Sequence, residues 1–199
     1  KYPGHRRTLP LLLSGFVALV GKSNFELFGA TVNIPIWLLC FIVLLFYRKE
    51  LSSFYITKNG ALSGFILGFG SGLILSVFVT ILMSPVNMPY SSTITNFYFV
   101  MLNLIIISIE EEILFRGLLL GSLQKAGIGA SISLIVQSFL FASGHIQYIY
   151  QDSWLFIMAV FLLGFFSSVL VQKTKSIFAG VGLHASYNIF LVLFSFLGK

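Results

Sequence analysis

NFYFVMLNLIIISIEEEILFRGLLL, Asn96 to Leu120, is apolar enough and long enough to cross a lipid bilayer, yet it carries Glu110, Glu111 and Glu112 in a row. A carboxylate at membrane depth costs at least about 2.5 kcal/mol. Such a cluster therefore faces protein or a water-filled cavity, which makes it a candidate functional site. Half of the six acidic residues of the chain stand at this one place.

Outward from that stretch the composition agrees. Of the 199 residues, 57% are hydrophobic and 9% charged, against roughly 25% charged in an ordinary soluble domain. Mean hydropathy is +0.98. These values predict an all-α, polytopic membrane helix bundle, because helices satisfy their own backbone in lipid. The net charge of +6 sits in short clusters between apolar runs, with no basic face carrying interleaved aromatics. It reads as membrane topology and excludes a nucleic-acid partner. The chain has a single cysteine, Cys40, so no internal disulfide can form, and its apolar run makes it a packing residue.

A span needs about 20 residues, and the apolar runs predict about seven transmembrane helices. They lie near Leu9–Val20, Val32–Tyr47, Ala61–Met83, Asn96–Gly121, Ile128–Ile146, Trp154–Val171 and Ile177–Leu197. With seven spans, Lys1, Arg6, Arg7, Arg48, Lys49, Lys58, Lys125, Lys173 and Lys175 share one side, leaving Lys22 and Lys199 on the other. The positive-inside rule then makes the amino terminus cytoplasmic. A signal peptide is the competing reading of residues 1–20, although no A-x-A-like cleavage site follows. The expectation is one membrane-embedded domain over residues 1–199, with the chemistry in about 96–197. Glycines 60, 64, 68 and 72 recur every fourth residue, which predicts close helix packing along one face, with a substrate groove as the alternative.

Helix geometry organises the buried polar residues. Glu112 and Arg116, four apart, share a face and can pair. Three adjacent carboxylates with one Arg cannot all ionise cheaply in a low dielectric, so at least one is expected to be poised near neutrality. That suits a general base, while a structural ion-pair knot would look the same at this level. His145 closes FASGH (Phe141 to His145), and His184 and Asn188 share a face in HASYN.

EEILFR (Glu111 to Arg116), FASGH and HASYN stand in the order of the EExxxR, FxxxH and HxxxN motifs, so the chain resembles the CPBP (CAAX protease and bacteriocin-processing, Abi) family of intramembrane proteases. Each motif alone is weak; together, each on its own span, they are specific and cover about the last 100 residues. The resemblance implies an intramembrane endopeptidase acting on membrane-associated peptides or proteins, of CAAX or peptide-maturation type. It implies that Glu111 activates water with help from His145, that His184 and Asn188 stabilise the oxyanion, and that Glu112 and Arg116 brace the site. Glu110 lies outside the pattern. A small chain without added domains further resembles bacterial members of a plasma membrane.

No cofactor is expected under that reading. Zinc held by Glu111, His145 and His184 is the alternative, weakened by the lack of an HExxH helix. A scaffold or sensor that kept the motifs, or a proton or ion transporter, are the rival functions. Counted from the cytoplasmic helix ends, Glu111 and Asn188 fall about 15 Å deep and His145 about 25 Å. The site exists only if tilt or helix boundaries bring them together.

Overall fold

The computed structural model describes residues 24–27, 30–83, 94–145 and 154–197. A two-stranded antiparallel hairpin, β1 (Asn24–Leu27) and β2 (Ala30–Asn33), pairs Asn24 with Asn33 and Leu27 with Ala30. It precedes a helical bundle. The helices are α1 (Ile34–Tyr47), α2 (Ala61–Met83), α3 (Ile94–Glu112), α4 (Gly121–Lys125), α5 (Ala130–Ser143), α6 (Trp154–Thr174) and α7 (Ile177–Leu197). A single 3₁₀ turn, Leu51–Phe54, links α1 towards α2.

Three of these helices, α2, α6 and α7, are each long and apolar enough to cross a membrane. The bundle is also inverted relative to a soluble protein. Serines 76, 108, 122, 133, 138, 167 and 168, together with Gln137, Arg116 and the three glutamates, are buried, while Leu62, Ile66, Ile74, Ile81 and Phe139 face outward. Lipid solvates those apolar side chains, leaving polar groups to pair inside.

Some boundaries differ from the sequence expectation, and one expected span is not among the described residues. The first expected span, Leu9–Val20, and the signal-peptide alternative lie outside the described residues. The second span starts at Ile34 rather than Val32, because residues 30–33 pair in the hairpin. The His145 span starts at Ala130 and stops at Ser143 instead of reaching Ile146. There the backbone turns through Gly144 and His145, whose N–H groups donate to the carbonyls of Leu140 and Ala142.

The Glu-bearing rod is longer than a plain span. After Glu112 the backbone widens into a π-helical segment, Ile113–Leu120, and returns to α-helical pairing in α4 without a break in dihedrals. Such widened turns are frequent at functional sites because they re-aim the side chains around them. This one carries Arg116.

The loops that the positive-inside rule assigns to one side meet at one end of the bundle. Lys125 pairs with Glu50, Thr57 Oγ1 donates to the Lys175 carbonyl at 3.1 Å, and the Ile177 N–H donates to the Tyr55 carbonyl at 2.9 Å. Tyr55 donates its hydroxyl to Gln124 at 2.5 Å. Burial pushes the Tyr55 phenol above its ordinary pKa, with the Gln124 hydrogen bond acting in the other direction.

Glycines 64, 68 and 72 of the expected stripe pack α2 on α7, the most extensive helix pair among the described residues, whereas Gly60 stands just before the helix with a φ of +69°. A Cβ on Gly68 would stand 2.0 Å from the Ala179 carbonyl oxygen, and one on Gly72 2.1 Å from that of Leu183. Gly70, on the same helix, would meet nothing within 4 Å. Gly68→Ala and Gly72→Ala are therefore expected to destabilise by about 1–3 kcal/mol each through overpacking. Gly70→Ala should instead stabilise by up to about 1 kcal/mol through helix propensity. Unfolding in detergent checks the ordering; equal effects at all three positions would place α2 elsewhere.

Candidate active site

A polar seam runs where the rod meets α7. Glu112 and Ser108 are one turn apart on α3, and His184 and Asn188 one turn apart on α7, so the two faces meet in antiparallel register. His184 Nδ1 lies 3.0 Å from Glu112 Oε1, and Asn188 Nδ2 donates to Ser108 Oγ at 3.3 Å. His184 Nε2 lies 3.8 Å from Glu111 Oε2. That separation is too long for a direct hydrogen bond, but one water or substrate oxygen can accept or donate to both groups.

Glu112 is the junction of the seam and is wholly buried. Arg116 Nη1 stands 2.9 Å from its Oε1, and Ser167 of α6 donates its hydroxyl to Oε2 at 2.6 Å. The Arg116 contact is ionic: none of the guanidinium nitrogens is aligned on a hydrogen-bond partner among the described residues. Arg116 instead lays its guanidinium over the Phe141 ring, 4.2 Å from the centroid, a cation–π contact. Phe141 also stacks edge-on against His184 at 5.6 Å and lies 5.1 Å from the His145 ring.

Thus one aromatic ring carries both imidazoles and the arginine. The depth mismatch expected for His145 closes because the Glu-bearing rod runs on to Lys125, putting Glu111 about 20 Å from its cytoplasmic end, while His145 lies about 22 Å from the start of α5 at Ala130. His145 Nδ1 lies 3.0 Å from the Phe141 carbonyl oxygen. A carbonyl only accepts, so Nδ1 carries the proton and Nε2 is left with the lone pair.

The structure brings Glu111, Glu112, Arg116, His184 and Asn188 into one seam and sets His145 against its edge. Among the described residues no group of three or more His, Cys, Asp and Glu stands together closely enough to hold a metal ion. Glu110, outside the motif, accepts a hydrogen bond from Trp37 Nε1 at 2.6 Å and ties α1 to the rod. Sequence reasoning did not single out Ser108, Ser167 or Trp37. Ser108 was findable, four residues before Glu112 on the same face; Ser167, on a separate helix with no spacing to a motif, was not.

Parallel to the seam runs an apolar cavity of about 830 Å³. Ile105, Ile109 and Ile113 line it from the rod and Val181, Ala185 and Ile189 from α7, each stripe next to the polar one on its helix. Trp37 and Phe41 of α1 and Phe65 and Phe69 of α2 stand among its other walls.

Residues 93–190, close to half of the chain, match the family model described as "Rce1-like: Type II CAAX prenyl endopeptidase Rce1-like". No curated protein and no solved structure matches the chain.

Proposed function

Because the chain belongs, through residues 93–190, to the Rce1-like CAAX endopeptidases of the CPBP family, we propose that it cleaves membrane-associated peptides or proteins at the Glu111–His184 seam. The observation that carries this is the junction at Glu112. Residues from the acidic motif and the HxxxN motif contact one another there directly, and the FxxxH motif supplies the ring against which Arg116, His145 and His184 rest.

In this reading Glu111 takes a proton from water, and His145, whose Nε2 carries the lone pair, assists it. Its site is almost closed to the surroundings, with Glu111 2% exposed, so the field of each charge is little screened. His184 and Asn188 supply donors to the oxygen that becomes negative. Asn188 keeps a second amide hydrogen beside the one given to Ser108, and His184, neutral at rest with its proton on Nδ1 towards Glu112, becomes a donor at Nε2 when it takes up a proton during the reaction, the transient imidazolium being stabilised by Glu112. The proton from water passes on to the leaving amine. No metal is used.

The apolar cavity beside the seam supports substrates that carry a lipid chain or an extended apolar segment, since nothing polar in its walls would compete for them. The basic loops gathered at one end support a cytoplasmic placement of that end.

The test is cleavage of prenylated and unmodified membrane peptides by purified protein in lipid nanodiscs, with and without chelator. His145→Ala and His184→Ala are each expected to lose about 10²-fold or more in kcat. Activity lost to chelator and restored by zinc would overturn the metal-free mechanism, and undiminished cleavage by both variants would remove the seam as the site.

A further inference from the structure

Glu112 Oε2 sits in a socket made by two helices that contribute no charge to it. Ser167 of α6 donates to it at 2.6 Å, and Gly180 of α7 leaves the space it fills: a Cβ there would lie 2.2 Å from Glu112 Oε2 and 2.7 Å from Ser167 Oγ. Ser167 is fully buried. The other oxygen, Oε1, faces Arg116 and Nδ1 of His184. Turning the carboxylate would break both sets of contacts together.

We propose that Ser167, with the gap at Gly180, is a positioning residue that fixes which nitrogen His184 presents. With Oε2 pinned, Oε1 meets Nδ1. A carboxylate beside a guanidinium accepts, so Nδ1 donates and Nε2 is the nitrogen turned to Glu111 and to the reacting oxygen. Ser167 thus acts on the chemistry through two intermediaries, and the proposal rests on the reading of this seam as the site of hydrolysis. Neither Ser167 nor Gly180 belongs to the three motifs.

The packing alternative is that Ser167 merely fills space, and the neighbouring residue separates the two. Ser168 is equally buried, but its hydroxyl is spent on the Gly164 carbonyl of its own helix at 2.9 Å. Ser168→Ala removes a hydroxyl of the same size from the same turn without touching Glu112.

The experiment pairs ¹⁵N spectra of histidine-labelled full-length protein in nanodiscs with steady-state cleavage. In the wild type His184 is expected to show a protonated Nδ1. Ser167→Ala should give a mixture of tautomers at His184 and lower kcat about 10- to 100-fold with KM little changed, as for other losses of an orienting partner. Ser167→Cys, which keeps a weak donor of similar size, should fall between and carries the test if Ser167→Ala does not fold. Ser168→Ala should match the wild type in both readouts.

Unchanged histidine spectra in Ser167→Ala, an effect confined to KM, or an equal loss in Ser168→Ala would each overturn the proposal. If no peptide is cleaved even by the wild type, the endopeptidase reading fails on its own, and the spectra still decide what Ser167 does.

Discussion

Glu111→Gln is expected to abolish cleavage, lowering kcat by about 10²- to 10⁴-fold, the contribution of a positioned general base. Glutamine keeps the size and an acceptor oxygen but cannot take the proton from water. Glu111 is 2% exposed and lies 3.8 Å from His184 Nε2, so the substitution removes a charge from an almost closed site without opening a cavity. The folded protein should therefore remain, with unfolding in detergent close to the wild type. Glu110→Gln is the matched comparison. It preserves an acceptor for Trp37 and should keep cleavage, because that carboxylate is spent on α1. Equal turnover by wild type and Glu111→Gln would transfer the base to another residue; equal losses at Glu110 and Glu111 would point to the charge of the cluster rather than to one proton acceptor.

The largest effect on folding is expected from Arg116→Leu. Arg116 and Glu112 are both wholly buried, 2.9 Å apart, and removing one member of such a pair leaves an uncompensated charge that costs about 3–5 kcal/mol. Leucine is apolar and smaller, so the substitution also takes the guanidinium off the Phe141 ring, the surface shared by both histidines. Unfolding in detergent should fall steeply. Glu112→Gln combined with Arg116→Met should recover much of the stability, since both charges are then gone, yet none of the activity, since His184 has lost its ionised acceptor. A double variant no more stable than Arg116→Leu would mean that the pair is held by something other than its own charges.

Much of this arrangement is legible in the residues themselves. The pairing of Glu112 with Arg116, and the shared face of His184 and Asn188, follow from a spacing of four, which any helix converts into adjacency. The glycines at every fourth position of α2 announce a close neighbour, although nothing in their spacing says that the neighbour is α7. Two things escape such reading. How far a helix runs depends on the chain that packs around it, so the continuation of the Glu-bearing rod through its π-helical segment to Lys125, which sets the depth of Glu111, has no mark in an apolar run. Contacts between distant helices, such as Ser167 to Glu112 across 55 positions, depend on the bundle's assembly, and serine is too common in apolar spans to stand out.

The shortness of α5 bears on what can be cut. Fourteen residues reach about 21 Å, against the roughly 30 Å of hydrocarbon that a straight span crosses. A peptide bond inside an intact transmembrane helix is shielded by its own ladder of amides and stays closed to attack. Only a chain that arrives already unwound can lay its backbone along Glu111, and unwinding is cheapest where solvent comes near. Under the proposed hydrolysis the expected substrates are therefore loose ends and frayed segments, and stable spans are expected to pass uncut.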